Sequence, residues 1–243
     1  MIEPILLTAT QILTYEQGKL LTNASGFFFE RDGRLFLVTS RHVVQDEPSQ
    51  HNPDRIEIQF HVDLDNAADI INFSIPLFQN GQAVWRQGID NAGEIDVAVI
   101  EIDKVAMPVT AVYLAFTPQH MPGSFEEVAI GTSMLIIGFP LGFHDTLHYF
   151  PIARHASSAS SFRLRFQGQG YFLTDARTHR GMSGAPVVMR DKSKSSASAP
   201  LPWKLLGIHS ARLDVGTRDV EVDEALGLNC AWFADILLTL TKN

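Results

Sequence analysis

The stretch "GFFFERDGRLFLVTSRHVV", residues 26–44, constrains the fold most. Two apolar runs flank Asp32-Gly33, a dipeptide that marks a tight turn, so the stretch reads as two strands of a hairpin. The same short-strand pattern recurs along the chain. "DRIEIQFHV" alternates with period two and puts Ile56, Ile58 and Phe60 on one face. "FSIPLF", "AVWRQ" and "DVAVIEI" continue it, and "SMLIIGFP", "FRLRFQG", "YFLTDA", "APVVMR", "KLLGIHSAR" and "LGLNCAW" follow later. Helical spacing is convincing only at the end, in "AWFADILLTLTKN", where Phe233, Ile236, Leu237 and Leu240 share a face. Many short strands with turns at short intervals imply an all-β sandwich or barrels.

The pattern breaks near the middle, at "FTPQHMPGSFEE", with two prolines and a glycine. This break predicts two barrels: an N-terminal one over residues 1–113, a linker over 114–127, and a C-terminal barrel with its terminal helix over 128–243. "KSKSSASAPLP" reads as a low-complexity loop between two strands, and "ASSASS" as a polar loop over the barrel.

Apolar residues make up 45% of the 243, enough for a full core without staples. The net charge of −8 disfavours a nucleic-acid binder, which would carry a basic face. Cys230 is the single cysteine, so no intrachain disulfide can form, which fits a reducing compartment. The first residues, "MIEPILLTATQIL", lack the basic leader of a signal peptide, and no run reaches the roughly 18 apolar residues of a membrane helix. The expectation is a soluble, cytoplasmic protein with no membrane partner.

"HRGMSGAPVV", residues 179–188, sets Ser183 among glycines just before an apolar strand. Taken alone, it reads as a turn. It also has the shape of a turn that presents a nucleophile. A serine hydroxyl is a poor nucleophile at neutral pH, so a histidine must take its proton and a carboxylate must orient that histidine. His42 follows the strand "LFLVTS", where it is either a satisfied turn histidine or a base pointing into a cleft. Asp96 leads an apolar strand, where it is either a solvated strand start or a partly buried carboxylate with a partner.

"SGFFFERDGRLFLVTSRHVV", "IDVAVIEI" and "TDARTHRGMSGAPVV" place these residues in the order His, Asp, Ser, the chain order of the chymotrypsin-like arrangement. Together with "IGFPLG" they resemble the trypsin-like serine peptidases, and most closely the protease domain of the HtrA/Deg group without a PDZ module. The resemblance covers nearly the whole chain. It implies two six-stranded β-barrels of the chymotrypsin/trypsin type and a serine endopeptidase that works through an acyl-enzyme on protein or peptide substrates. By position, Ser183 would be the nucleophile, His42 the general base and Asp96 the orienting carboxylate, with the N–H groups of Gly181 and Ser183 as the oxyanion hole. Ala185 stands where the family carries a second glycine. Arg180 and Met182 replace residues that are more often small, acidic or polar, which makes the orientation of the Arg180–Gly181 peptide the question for the structure.

In the family, the residues before the nucleophile and the strand "GIHSAR" wall the pocket for the side chain before the scissile bond. Thr178 and His209 at these places resemble the glutamyl endopeptidases, with Ser210 and Arg177 alongside; Arg212 could add further positive potential. A hydroxyl and an imidazole can donate to a carboxylate. The plain alternative is that His209 packs inside the barrel while the arginines face solvent. A different class of function is a catalytically silent or latent binding module on the same fold; the presence of all three side chains and the glycine favours the enzyme. His144 and His148 are four apart, but "GFHDTLHYFP" reads as a loop and no further ligand completes a metal site, so neither metal nor cofactor is expected. Cys230 reads as a buried small hydrophobe. Nothing in the sequence sets an oligomeric state.

Overall fold

A computed structural model of the protein describes residues 2–194, 200–213 and 227–242. The middle of the low-complexity loop, residues 195–199, lies outside the described residues. The N-terminal half contains β1 (Ala9–Glu16), β2 (Lys19–Arg31), β3 (Arg34–Thr39), a one-turn helix α1 (Arg41–Val44), β4 (Arg55–His61) and β5 (Ile70–Pro76). A small hairpin of β6 (Phe78–Gln79) and β7 (Gln82–Ala83) follows, then β8 (Trp85–Asp90) and β9 (Gly93–Ile102). The C-terminal half contains β10 (Ser133–Gly138), β11 (Ile152–Ser158), β12 (Tyr171–Asp175), β13 (Pro186–Arg190), β14 (Trp203–Arg212), β15 (Leu228–Phe233) and the short helix α2 (Ile236–Leu240).

The expected hairpin is present: Arg31 faces Arg34, and Asp32 and Gly33 both have positive φ, at 52° and 75°. That pair of angles suits a two-residue turn whose twist matches the strands. β4 buries Ile56, Ile58 and Phe60 and alternates as its sequence predicts. β10 to β15 close into a six-stranded barrel, in the order β10-β11-β12-β15-β14-β13.

The N-terminal half departs from six closed strands. Seven strands lie in one row, β5-β4-β1-β2-β3-β9-β8. The added strand is β1, which pairs with both β2 and β4. Its buried face sets Thr10 and Thr14 on either side of Ile12, so its apolar pattern is interrupted in sequence. Their hydroxyls are satisfied locally, Thr10 by the Gln59 carbonyl at 3.0 Å and Thr14 by Thr22 Oγ1 at 3.1 Å.

Three other expectations are corrected. Residues 162–168 form turns and a short 3-10 stretch instead of a strand, with Gln167 and Gly168 at φ 53° and 77°. The strand in that place is β11, which absorbs Ala156, Ser157 and Ser158 from the supposed polar loop. Ala156 and Ser158 are buried because small side chains fit the barrel interior. The terminal helix is confined to five residues, and Phe233 ends β15 instead of lying on a helix face.

One hydrophobic cluster spans both halves. Phe27, Phe29, Phe36, Val38, Val97 and Val99 of the N-terminal sheet meet Ile137, Val188, Leu205, Ile208 and Trp232 of the barrel. Phe116, in the strandless segment between β9 and β10, packs edge-on to Phe27 at 5.8 Å between ring centres. Helix α2 joins the same cluster through Leu237 and Leu240. Two arginines of the N-terminal sheet cap its end: Arg31 Nη1 donates to the Leu238 carbonyl at 2.6 Å, and Arg86 Nη1 to that of Lys242 at 2.7 Å. No described helix is long and apolar enough to cross a membrane.

A shared core makes the halves unfold together. Phe27→Ala should lower the unfolding free energy by about 3–5 kcal/mol, with far-UV circular dichroism and tryptophan fluorescence still reporting one denaturant transition. Two separated transitions in the parent protein would show that the halves are stabilised independently.

Candidate active site

The seam between the two halves carries the chemistry-bearing side chains. β3 ends at Thr39, and the chain turns at Ser40 into α1, which holds His42. Asp96 lies in β9 at an irregularity: Gln87 faces Ala98 while Gly88 faces Ile95, so Asp96 and Val97 have no partner on β8. Such a bulge re-aims a side chain. Here it sends the carboxylate to α1. Asp96 Oδ2 lies 2.7 Å from His42 Nδ1, and Oδ1 accepts the His42 backbone N–H at 2.9 Å. Ser210, in β14, donates its hydroxyl to Oδ2 at 2.5 Å. Sequence reasoning placed Ser210 on the wall of a substrate pocket; the structure adds that its side chain braces Asp96.

Burial by itself would raise the Asp96 pKa, but the hydrogen bond and charge of His42, with the bonds from Ser210 and the His42 backbone, hold it below the ordinary value. Burial by itself would lower His42, yet the bond to Asp96 and its charge outweigh this and hold His42 above 6.5. With Nδ1 engaged by the carboxylate, Nε2 of the neutral ring is the proton acceptor.

Ser183 lies in the turn before β13 and shares a cleft of about 750 Å³ with His42, Asp46, Gln50, Leu141 and Arg180. Its hydroxyl donates to the Ser210 carbonyl at 3.1 Å. The structure therefore joins His42 to Asp96 directly and sets Ser183 in the same cleft with its hydroxyl turned to β14. A larger groove of about 1010 Å³, lined by Ser133, Met189 and Trp203 among others, contains none of these residues.

The Arg180–Gly181 peptide has a defined direction. The Arg180 carbonyl accepts the Leu141 N–H at 2.6 Å. In a trans peptide C=O and N–H point opposite ways, so the Gly181 N–H points away from Leu141. Among the described residues, neither the Gly181 nor the Ser183 N–H has an acceptor. Gly181 has φ +90°, and a Cβ there would collide with the Phe139 carbonyl and Asn23 Oδ1, so only glycine fits. Met182, which departs from the family pattern, is fully buried in the barrel core beside Phe172, Ala185 and Val187. Apolar packing anchors the turn at that point.

Thr178, His209 and Ser210 are almost wholly buried and do not line the cleft around Ser183. Thr178 donates its hydroxyl to Asn229 Oδ1 at 2.5 Å, and Asn229 gives its amide to the Ala176 carbonyl at 2.8 Å. Burial and the neighbouring His42 push His209 down to about 4, so its ring is neutral, and its buried Nδ1 has no partner among the described residues. Arg177 and Arg212 are exposed, and the Arg177 carbonyl accepts Arg154 Nη2 at 2.6 Å. His144 and His148 turn to different partners, the Gly142 carbonyl at 2.7 Å and Asp145 Oδ2 at 2.8 Å. Among the described residues, no three His, Cys, Asp or Glu are grouped to hold a metal. Cys230 is buried, and burial pushes its thiol up to about 11. Sequence reasoning quoted the segments that hold Asn229, Leu141 and Ser25 but gave these residues no role of their own, because their partners lie far away in the chain.

Residues 24–193 match the family of the trypsin-like peptidase domain, and the chain belongs to that family. The fold is shared with solved structures of HtrA-type and other proteases. HtrA-type protease AlgW with tripeptide is 17% identical, with a TM-score of 0.55 over 96% of this chain and 58% of that one. The serine endoprotease from Yersinia pestis is 19% identical, with a TM-score of 0.53 over 96% and 61%. The active form of the Rv3671c protease from M. tuberculosis is 14% identical, with a TM-score of 0.50 over 98% and 79%. The chain thus spans about three fifths of the length of the first two. No curated protein is significantly similar to it in sequence.

The His42–Asp96 pair sets a titration that NMR can read. The His42 ring should titrate with a midpoint above 6.5, because the carboxylate favours the imidazolium. In Asp96→Asn the charge is gone while burial remains, so the midpoint should fall below the parent value. The same raised value means that His42 contributes its full stability below pH 6.5 and loses it as pH climbs through the folded-state midpoint. A parent midpoint at or below 6.5 would contradict this coupling.

Proposed function

We propose that this chain is a serine endopeptidase, with Ser183 as nucleophile, His42 as general base and acid, and Asp96 as the orienting carboxylate. The observation that carries the reading is the pair of unpartnered N–H groups, of Gly181 and Ser183, in one cleft with His42 held by Asp96. Ser183 Oγ turns from the Ser210 carbonyl to His42 Nε2 and attacks the carbonyl carbon of a peptide bond. Its proton passes to His42, and the imidazolium is stabilised by Asp96. The two N–H groups donate to the oxygen as it becomes negative. His42 then returns the proton to the leaving amine. Water attacks the acyl-enzyme by the same relay in reverse and frees Ser183. Nothing in this cycle needs a metal or cofactor. A silent binding module would have no use for a histidine held in its basic tautomer beside two vacant donors.

The finer reading is a preference for an acidic side chain before the scissile bond. It is supported by the Nδ1 of His209, which is buried without a partner among the described residues; the Thr178 hydroxyl is given to Asn229 and would have to leave it to serve a substrate. In the tautomer that carries its proton on Nδ1, the ring would donate that N–H to a carboxylate oxygen. Because both residues are buried, this preference requires the wall to open when substrate binds.

Fluorescently labelled casein tests the reaction. Cleavage by the purified chain should fall by about 10⁶ in Ser183→Ala, and undiminished turnover would reject the assignment. Fluorogenic peptides test the preference: glutamate before the cleaved bond should be favoured over alanine by roughly a hundredfold, and His209→Val should remove that ratio. A profile with alanine or valine favoured and glutamate refused would return His209 to a purely packing role.

A further inference from the structure

Ser25 belongs to β2 of the N-terminal sheet, yet most of its hydrogen bonds go to the C-terminal barrel. It has no exposed surface. Its hydroxyl donates to the Gly181 carbonyl at 2.7 Å and accepts the Phe139 N–H at 3.0 Å. Its backbone N–H donates to the Ser183 carbonyl at 2.9 Å. Its carbonyl accepts the Thr39 hydroxyl at 2.9 Å. The neighbours are shaped around it. A Cβ on Gly138 would meet the Ser25 hydroxyl, and a Cβ on Gly184 would collide with the Ser25 carbonyl.

These bonds fix peptide planes, and peptide planes aim N–H groups. The Gly181 and Ser183 carbonyls, both held by Ser25, bracket the Met182–Ser183 peptide that carries the Ser183 N–H. The Gly181 N–H is aimed by the Leu141 N–H on the Arg180 carbonyl. Leu141 has φ +55°, a costly conformation for a leucine that persists only where the surroundings impose it. The loop that carries Leu141 begins at Phe139, whose N–H ends on the Ser25 hydroxyl. One buried hydroxyl thus ties together the two loops that aim both donors.

We infer that Ser25 is a positioning residue for transition-state stabilisation: through it the N-terminal sheet sets the direction of the Gly181 and Ser183 N–H groups. This rests on the peptidase reading above. Replacing the hydroxyl frees the Gly181 carbonyl and the Phe139 N–H together. The Gly181 turn then samples orientations in which its N–H no longer meets the developing oxyanion, while His42 and Asp96 are untouched.

The experiment compares Ser25→Ala, Ser25→Cys and Ser25→Thr with the parent chain. Three quantities are measured: kcat/KM on a fluorogenic peptide, inhibition by a tripeptide boronic acid whose tetrahedral adduct places an oxygen at the two N–H groups, and the pH midpoint of the rate. Ser25→Ala should lose roughly 10- to 100-fold in kcat, less than direct removal of an oxyanion donor costs, with KM nearly unchanged. Boronate affinity should fall by the same factor. The pH midpoint should stay in place, and Ser25→Thr, which keeps the hydroxyl, should recover part of the loss. A thermal shift in Ser25→Ala with kcat and boronate affinity unchanged would overturn the inference and leave Ser25 a packing residue. Should Ser25→Ala fail to fold, Ser25→Cys keeps the size with a weaker donor and is read by the same criteria. A parent chain that neither cleaves the peptide nor binds the boronate would overturn the peptidase reading itself, and this inference with it.

Discussion

A carboxylate taken out of water needs partners, and Asp96 finds all of its own at the seam of the molecule. Its hydrogen bonds come from the His42 ring, the His42 backbone and the Ser210 hydroxyl. The first two belong to the N-terminal half and the third to the C-terminal barrel. An unpaired charge at such a place would be strongly destabilising. The seam therefore closes only when α1, β9 and β14 are in register. The irregularities in β9 and β14 serve this closure: one re-aims Asp96, and the other falls between His209 and Arg212, around Ser210. The large shared core behind them supplies the rigidity.

The second constraint is steric. Around Ser183 the chain passes so close to its neighbours that Gly181 and Gly184 admit no side chain, and both take positive φ. Met182 between them is driven into the barrel core. Glycine freedom on either side and an apolar anchor in the middle define one turn. That turn leaves two N–H groups without acceptors while nearby carbonyls are all occupied: Arg180 by Leu141, Gly181 and Ser183 by Ser25, and Met182 by Ala185. Donors left open among satisfied acceptors are prepared for an incoming negative charge. On the proposed mechanism, donors already so oriented would need little reorganisation.

Much of this was legible in sequence where the signal was local. Asp32-Gly33 announced its hairpin, the alternation of β4 announced its buried face, and the order of His42, Asp96 and Ser183 pointed to one cleft. The strands that went unread, β1 and β11, bury threonine, alanine and serine. Their hydrophobic pattern is faint because, apart from Ile12 in β1, hydrogen bonds and small volume make the buried side chains fit. The bracing roles of Ser25 and Ser210 were invisible for another reason. Each joins elements that are far apart in the chain, and a serine in a strand has no spacing that tells where its hydroxyl will land. Thr178 and His209 were expected on the wall of a substrate pocket; their burial and the Asn229 bond follow from tertiary packing, which no local pattern encodes.

The central claim is that Ser183 is made nucleophilic by His42 and faces two open donors. A fluorophosphonate reports this directly, since phosphorus is attacked only by an activated hydroxyl and the phosphoryl oxygen then occupies the position of the oxyanion. After incubation, intact mass and peptide mapping should show one adduct, on Ser183, and a crystal structure of that adduct should place its oxygen within hydrogen-bonding distance of the Gly181 and Ser183 N–H groups. His42→Ala should form no adduct. A protein that stays unmodified, or an adduct on another residue while casein is still cleaved, would contradict the account.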